Sequence, residues 1–383
     1  MEPTRIYVYR DSDEGGYIAH IPSLPGVCAM HPDRDVAVTR ALEILQEELL
    51  FLRANLLPEP SLDLSLPIEL EPIAENVFPE DLVPLTHDEL QHLIERMALA
   101  RERLAHLARS LSPGEMNLGP SGSWNVTQIL EHLSMAECGY LDRLIPLPED
   151  AAGAVSATRS LLIERLRRLA EDDLSATRSF LREEWTVRKV LRRSLELETA
   201  WGSFIESLPG GVLGIDRPDP CWQGNDTVES DLFPCHREDL SGGIDQLLNR
   251  GLQLAGWLRG SGQGTWGDSQ SAERDQRDEA LRQLATAHMY FRLRLERWPS
   301  DPLARLAQVR IRAVQELERL EEKDLRRILH APWGEIWTAR KVLRRFLEHE
   351  RQHYDSIRQI LAEQPTEGTA SQGSGEESRN SAR

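Results

Sequence analysis

The sequence contains few cysteines, no long apolar run and no excess of basic charge. Four cysteines in 383 residues do not form a disulfide framework, so we expect a reducing compartment, the cytoplasm. Apolar runs of about 18 residues are absent, and the first residues lack the pattern of a secretion signal, so we expect no membrane association. The net charge of −18 argues against a nucleic-acid partner, because phosphate-binding surfaces need clustered Lys and Arg.

Residues 1–78 have the pattern of a small α/β domain. Short β-type runs, a Gly-Gly turn and one helical stretch predict the element order β-β-β-α-β. The predicted elements cover residues 6–9, 17–21, 27–30, 35–56 and 66–73. Pro67 favours the edge of the sheet for the last strand, since proline has no backbone N–H to donate to a neighbouring strand.

From about residue 80 the apolar periodicity becomes helical. Eight helices, separated by Pro and Gly clusters, are predicted at 86–111, 125–145, 156–172, 186–207, 240–259, 272–297, 302–320 and 338–362. The segment 211–237, rich in Gly, Pro and Asp, is the predicted linker between two halves. Residues 364–383 have almost no apolar side chains and are predicted to be disordered. The expected fold class is therefore α+β.

Two stretches of the helical part repeat each other. Residues 185–193 read Trp-Thr-Val-Arg-Lys-Val-Leu-Arg-Arg, and residues 337–345 read Trp-Thr-Ala-Arg-Lys-Val-Leu-Arg-Arg. A repeat of roughly 150 residues indicates a duplicated domain rather than a solenoid unit. Since four helices per copy suit a bundle, we predict two tandem four-helix bundles, at 82–210 and 238–363.

The strongest candidates for chemistry are His349 and His353. They lie four residues apart on the last predicted helix, so they share one face, and that face is the apolar stripe. Their equivalents in the first copy, Leu197 and Trp201, are core residue types. Imidazoles inside a bundle need partners, and a transition metal such as Zn or Ni is one possibility. Hydrogen bonds to Glu, Gln or water are the alternative.

A third metal ligand has more than one candidate. His288, on the second helix of the second copy, belongs to the same predicted bundle as His349 and His353. His132 lies on the second helix of the first copy, where the second copy has Gln283. His132 could join the pair only if the two halves pack so that one bundle supplies it to the other.

Two motifs resemble the DinB-like superfamily: residues 124–133, Trp-Asn-Val-Thr-Gln-Ile-Leu-Glu-His-Leu, and residues 349–353, His-Glu-Arg-Gln-His. The superfamily includes proteins classed as metal-dependent hydrolases and thiol-dependent transferases. The resemblance covers about 84–208 and 238–363. It implies four-helix bundles in which one histidine on the second helix and two on the last hold a divalent metal.

Each copy departs from that pattern in a complementary way, since one keeps the single histidine and the other keeps the pair. The first hypothesis is therefore a DinB-like protein of unknown substrate with hydrolase or thiol-transfer chemistry. The alternative is a binding, scaffold or sensor protein that has lost its metal site.

The N-terminal domain resembles a second family. Residues 15–27, Gly-Gly-Tyr-Ile-Ala-His-Ile-Pro-Ser-Leu-Pro-Gly-Val, and the helix after them are similar to the HicB-like antitoxin fold. The resemblance covers about residues 1–75 and implies a protein partner or a small-molecule ligand for this domain, or a role as an antitoxin-type regulator. The separate DNA-binding module of typical members is not evident in the sequence.

Overall fold

A computed structural model describes most of the chain, and its elements confirm the α+β class. The described residues are 4–10, 16–60, 69–72, 77–120, 123–180, 183–208, 227–261, 271–331 and 335–363. Most of the predicted linker and the predicted tail lie outside them. Among the described helices, none is long and apolar enough to cross a membrane.

The N-terminal domain is a four-stranded sheet with one helix packed on it. Its elements are β1 Arg5–Arg10, β2 Tyr17–His20, β3 Cys28–His31, α1 Arg34–Ala54 and β4 Glu69–Pro72. The strand order is β3-β2-β1-β4, and β4 pairs in parallel with β1 at the sheet edge. The predicted element order and the edge position of the last strand are confirmed.

The eight long helices that the structure describes after residue 80 were all predicted. They are α2 His87–Arg109, α4 Val126–Asp142, α5 Ala151–Arg167, α7 Val187–Ser207, α8 Arg237–Ser261, α9 Ser271–Arg294, α10 Pro302–Glu318 and α12 Ala339–Ala362. Short elements lie between them: α3 Pro113–Met116, α6 Glu171–Leu174, β5 Arg178–Phe180, β6 Glu183–Trp185, α11 Glu322–Leu325, β7 Leu329–His330 and β8 Ile336–Trp337. Two 3₁₀ turns, Pro79–Leu82 and Glu229–Leu232, precede α2 and α8. The α5 helix begins earlier than predicted because the Asp150 side chain caps it.

The long helices pack into two bundles, but not in chain order. In the first bundle α2 and α4 pack against α10 and α12, and in the second bundle α5 and α7 pack against α8 and α9. Each bundle thus takes two helices from each half of the chain. This arrangement differs from the predicted tandem bundles at 82–210 and 238–363, in which each half would have formed a bundle of its own.

Buried charges explain the helix pairing of the first bundle. Arg101 of α2, Glu137 of α4, Arg310 of α10 and Glu350 of α12 form one buried ion-paired cluster. Arg101 Nε lies 2.9 Å and Arg310 Nη2 lies 2.6 Å from the Glu350 carboxylate, and both arginines also bind Glu137. A packing that kept α2 and α4 apart from α10 and α12 would lose two of these buried ion pairs, Arg101 with Glu350 and Arg310 with Glu137.

The second bundle has a smaller cluster at the equivalent place. Arg159 of α5 binds Glu198 of α7 through Nε at 2.6 Å and Nη2 at 2.9 Å. His288 of α9 aligns with Glu137 in the repeat, and Gly251 of α8 aligns with Arg101. A Cβ atom at Gly251 would lie 2.7 Å from Nη1 of Arg159, so the glycine gives this arginine its space.

Contacts between a 3₁₀ turn and a long helix also occur in both bundles. Asp81, in the first 3₁₀ turn, binds Arg344 of α12 at 2.8 Å, and the Thr338 hydroxyl donates to the Asp81 carbonyl. In the second bundle Asp231 binds Arg192 of α7 at 2.7 and 2.9 Å. Each half of the chain therefore docks its 3₁₀ turn on the last helix of the other half. These matched contacts favour the predicted duplication.

The N-terminal domain packs on the first bundle through the sheet face opposite α1. Nδ1 of His20 lies 2.9 Å from Oε1 of Glu348 on α12, and Sγ of Cys28 donates to the Glu348 carbonyl. Gly26 has a φ of +94° and approaches Leu347 so closely that a Cβ would lie 3.3 Å from the leucine Cβ. The small domain therefore covers one side of α12.

Separate expression of the two halves tests the cross-packing. Residues 1–208 and 227–383, produced together as two chains, should purify as a one-to-one complex, because each bundle needs helices from both. Size-exclusion chromatography with mass detection measures the stoichiometry. Two fragments that each unfold cooperatively as monomers would contradict this packing.

Loss of one buried charge should destabilise the protein strongly. Arg310→Met leaves Glu137 and Glu350 with only Arg101, so we expect the free energy of unfolding to fall by about 3–5 kcal/mol. The control is Arg326→Met, which removes an exposed pair with Glu322 and should change it by less than about 1 kcal/mol. Urea unfolding gives both values, and equal effects would show that the buried cluster is not a determinant of stability.

Candidate metal centre

The packing of α4 against α12 brings three histidines together. Nε2 of His349 lies 3.0 Å from Nε2 of His132 and 3.0 Å from Nε2 of His353. The ligand atoms of all three lie within 4.8 Å of one another. Within the described part of the chain, this is the one group of three or more His, Cys, Asp or Glu side chains with such geometry.

Helix caps set the start of both helices that carry these residues. Asn125 caps α4 by accepting from the Gln128 backbone N–H at 2.9 Å, and the Gln128 side chain accepts from the Asn125 N–H at 3.0 Å. Thr338 caps α12 by accepting from the Lys341 N–H. On α12 the two histidines are one turn apart and both face α4.

The spacing of the three nitrogen atoms suits a shared ion. An imidazole nitrogen bound to Zn²⁺ lies about 2.0–2.1 Å from the ion, so two ligands at roughly 90–110° are about 3.0–3.4 Å apart. The observed separations of 3.0 Å from His349 to its two neighbours match that range. Three ligands on one side of an ion leave its other coordination positions open.

Burial keeps the three imidazoles uncharged at neutral pH. It lowers the pKa of His132 to about 4 and the pKa of His353 to about 3. The pKa of His349 also lies well below its usual value, first because of burial and then because of the two neighbouring histidines. Neutral imidazoles have the free lone pairs that metal binding requires.

Aromatic side chains lie beside the histidine rings. Nδ1 of His349 and Nδ1 of His353 are buried without a hydrogen-bond partner among the described residues, whereas metal-binding histidines usually donate from their second nitrogen. The Trp124 ring lies 4.3 Å from the His132 ring, and the Tyr140 ring lies 5.8 Å from the His349 ring. Tyr140 lies two turns after His132 on α4, and that spacing could have indicated its position.

The structure does not bring His288 to this group. His288 lies on α9 in the second bundle, where its Nε2 is 2.9 Å from Oε1 of Glu198. The expected set of His288, His349 and His353 assumed that each half forms its own bundle, and the cross-packing corrects it. His132 provides the third imidazole instead.

The equivalent place in the second bundle has no comparable set of side chains. Leu197 and Trp201 are buried core residues on α7, and Gln283 donates to Glu279 on its own helix. An indole and an isobutyl group there replace the two imidazoles of α12. Within the described residues, each chain thus has one candidate metal centre.

A family model described as the DinB superfamily matches residues 96–196. Residues 96–196 therefore carry a DinB superfamily domain. The matched segment runs from α2 into α7 and includes His132, so the resemblance predicted from residues 124–133 is confirmed for this segment. Searches of curated proteins and of solved structures gave no match. The HicB-like resemblance of residues 1–75 stays a prediction.

Stability should fall as the pH is lowered from 7 to 5, and His288 should account for part of the fall. Burial lowers the pKa of His288 below its usual 6.5, so in this window the unfolded chain binds a proton that the folded protein does not. His288→Asn removes that difference and should make the loss smaller than in the wild type.

The control for this experiment is His330→Asn, at an exposed histidine, which should leave the loss of stability unchanged. Urea unfolding at both pH values measures the effect. An identical pH dependence in the wild type and His288→Asn would show that this histidine is not buried in its neutral form.

Proposed function

We propose that the first bundle binds one divalent transition-metal ion through Nε2 of His132, His349 and His353. The convergence of these three atoms carries the proposal. Three imidazoles suit Zn²⁺ or Ni²⁺. The DinB superfamily match supports it, because the resemblance implies one histidine on the second helix and two on the last, and α4 and α12 supply that combination.

We further propose that the site is catalytic, with hydrolase or thiol-transfer chemistry. Three protein ligands with open positions are typical of catalytic rather than structural metal sites. When bound, the ion would act as a Lewis acid on water or on a thiol. The three histidines would hold it, and Trp124, 41% exposed beside His132, would form one side of the entrance for a small substrate.

The core of the second bundle favours a non-catalytic role for that bundle. Its apolar Leu197 and Trp201 fill the place of the metal ligands, so we propose that this bundle is a structural partner of the first. A protein or small-molecule partner of the N-terminal domain would bind away from His20 and Cys28, because the sheet face that carries them packs on α12. An antitoxin-type regulator would need a different surface of that domain.

Metal content of the untagged protein tests the proposal. Plasma mass spectrometry after exposure to Zn²⁺ or Ni²⁺ and gel filtration should give about one equivalent per chain for the wild type. His349→Ala with His353→Ala should bind none. His132→Gln, which copies the second bundle, should weaken affinity by more than the roughly 10- to 100-fold cost of losing an outer-shell partner.

The matched control is His106→Gln, at an exposed histidine on α2, which should bind metal as the wild type does. Absence of bound metal in the wild type, even with excess ion, would refute the proposal. Retention of metal by the double variant would refute the assignment of the ligands.

A further inference from the structure

The proposed ligand set contains no carboxylate, so the ligands would not neutralise the charge of a bound ion. Three neutral imidazoles leave both positive charges of a divalent ion uncompensated. The acidic side chains next to the ligands in sequence already have cationic partners. Glu350 binds Arg101 and Arg310, and Glu348 binds Arg344 at 2.7 Å. An anionic ligand would therefore supply the missing negative charge.

Arg345 adds a further positive charge beside the site. It lies one turn before His349 on α12, and its side chain is 19% exposed. Its described hydrogen bonds are long, at 3.4 Å from Nη1 to Glu348 and 3.4 Å from Nη2 to the Tyr140 hydroxyl. A guanidinium has five N–H donors, so Arg345 has donors available for a ligand. The adjacent Arg344 differs, since Asp81 and Glu348 bind it at 2.7–2.8 Å.

Tyr140 connects this guanidinium to the histidines. Its ring lies 5.8 Å from the His349 ring, and its hydroxyl accepts from Arg345. A phenol and a partly exposed guanidinium thus lie at one end of the three-histidine group, and Trp124 lies at the other.

We infer that the site takes a small substrate that carries a carboxylate, held by the Arg345 guanidinium and the Tyr140 hydroxyl while its reacting end lies at the metal. This inference rests on the proposed metal site. A planar guanidinium can bind both oxygens of a carboxylate at once. The charges of the ion and of Arg345 attract the same group. Arg345 and Tyr140 are thus substrate-binding residues that sequence patterns did not indicate.

Acetate is the probe for this inference, and acetamide is its neutral analogue. Calorimetric titration of zinc-loaded wild type should show acetate binding and weaker acetamide binding. Arg345→Met should weaken acetate binding about 10- to 100-fold, because a charge-assisted hydrogen bond is lost. Arg193→Met, at the equivalent arginine of the second bundle, should bind acetate as the wild type does. Zinc content should be unchanged in both variants.

The second variant, Tyr140→Phe, covers the case in which Arg345→Met fails to fold, as judged by circular dichroism. It removes only a hydroxyl and should weaken acetate binding roughly threefold, by about 0.6 kcal/mol. Equal acetate affinity in the wild type and the folded variants would overturn the inference. An equal loss in Arg193→Met would also overturn it, because the effect would then not be local to the site.

Two further measurements separate this inference from the proposed function. If the wild type binds no zinc, the metal proposal fails, and titration of the metal-free protein still tests whether acetate binding depends on Arg345. Inorganic phosphate tests the class of anion. Phosphate binding that is tighter than acetate binding and equally dependent on Arg345 would overturn the assignment of a carboxylate.

Discussion

The buried cluster of Arg101, Glu137, Arg310 and Glu350 determines how the helices of the first bundle combine. Each helix contributes one charge, and the four charges alternate in sign, so each has two partners only when all four helices are present. Apolar stripes alone would not select these four helices, because hydrophobic burial is not directional. The candidate metal centre depends on the same selection, since α4 and α12 carry its ligands.

The two bundles differ by changes that compensate one another. Where the first bundle has Arg101 and Glu137, the second has Gly251 and His288, so one positive and one negative charge are missing together. The remaining pair, Arg159 and Glu198, is still balanced. Although burial opposes it, the hydrogen bond from His288 and the ion pair with Arg159 lower the pKa of Glu198 to about 2. The second bundle thus keeps a stable polar core without the histidine group.

The sequence predicted the elements well because local signals define them. Thr186 and Thr338 are cap residue types and accept hydrogen bonds from backbone N–H groups in the first turns of α7 and α12. The inward positions of His349 and His353 followed from helical periodicity alone. These properties depend on residues close together in the chain, so they can be inferred without knowing the tertiary packing.

The pairing of the helices was not predicted, because the repeated block at 185–193 and 337–345 is nearly the same in both halves. A pattern that is common to both copies cannot indicate whether a helix packs within its own half or against the other half. The differences between copies held the information, since Arg101 binds Glu350 and Glu137 binds Arg310 across the two halves. His288 was proposed as a ligand because each half was expected to form a bundle of its own. In the repeat, however, His288 aligns with Glu137 and not with His132.

The distance in sequence between α4 and α12 affects how the protein is made. His132 and His349 are 217 positions apart, so at synthesis rates of roughly 5–20 residues per second α12 follows α4 by about 10–40 s. Until the later helices are made, α5 and α7 are the next helices after α2 and α4 in the chain, and a bundle in chain order is the competing arrangement. The final structure instead packs α5 and α7 against α8 and α9. A metal ion can meet all three histidines only once α12 has packed against α4, so the full ligand set forms only after α12 has been synthesised.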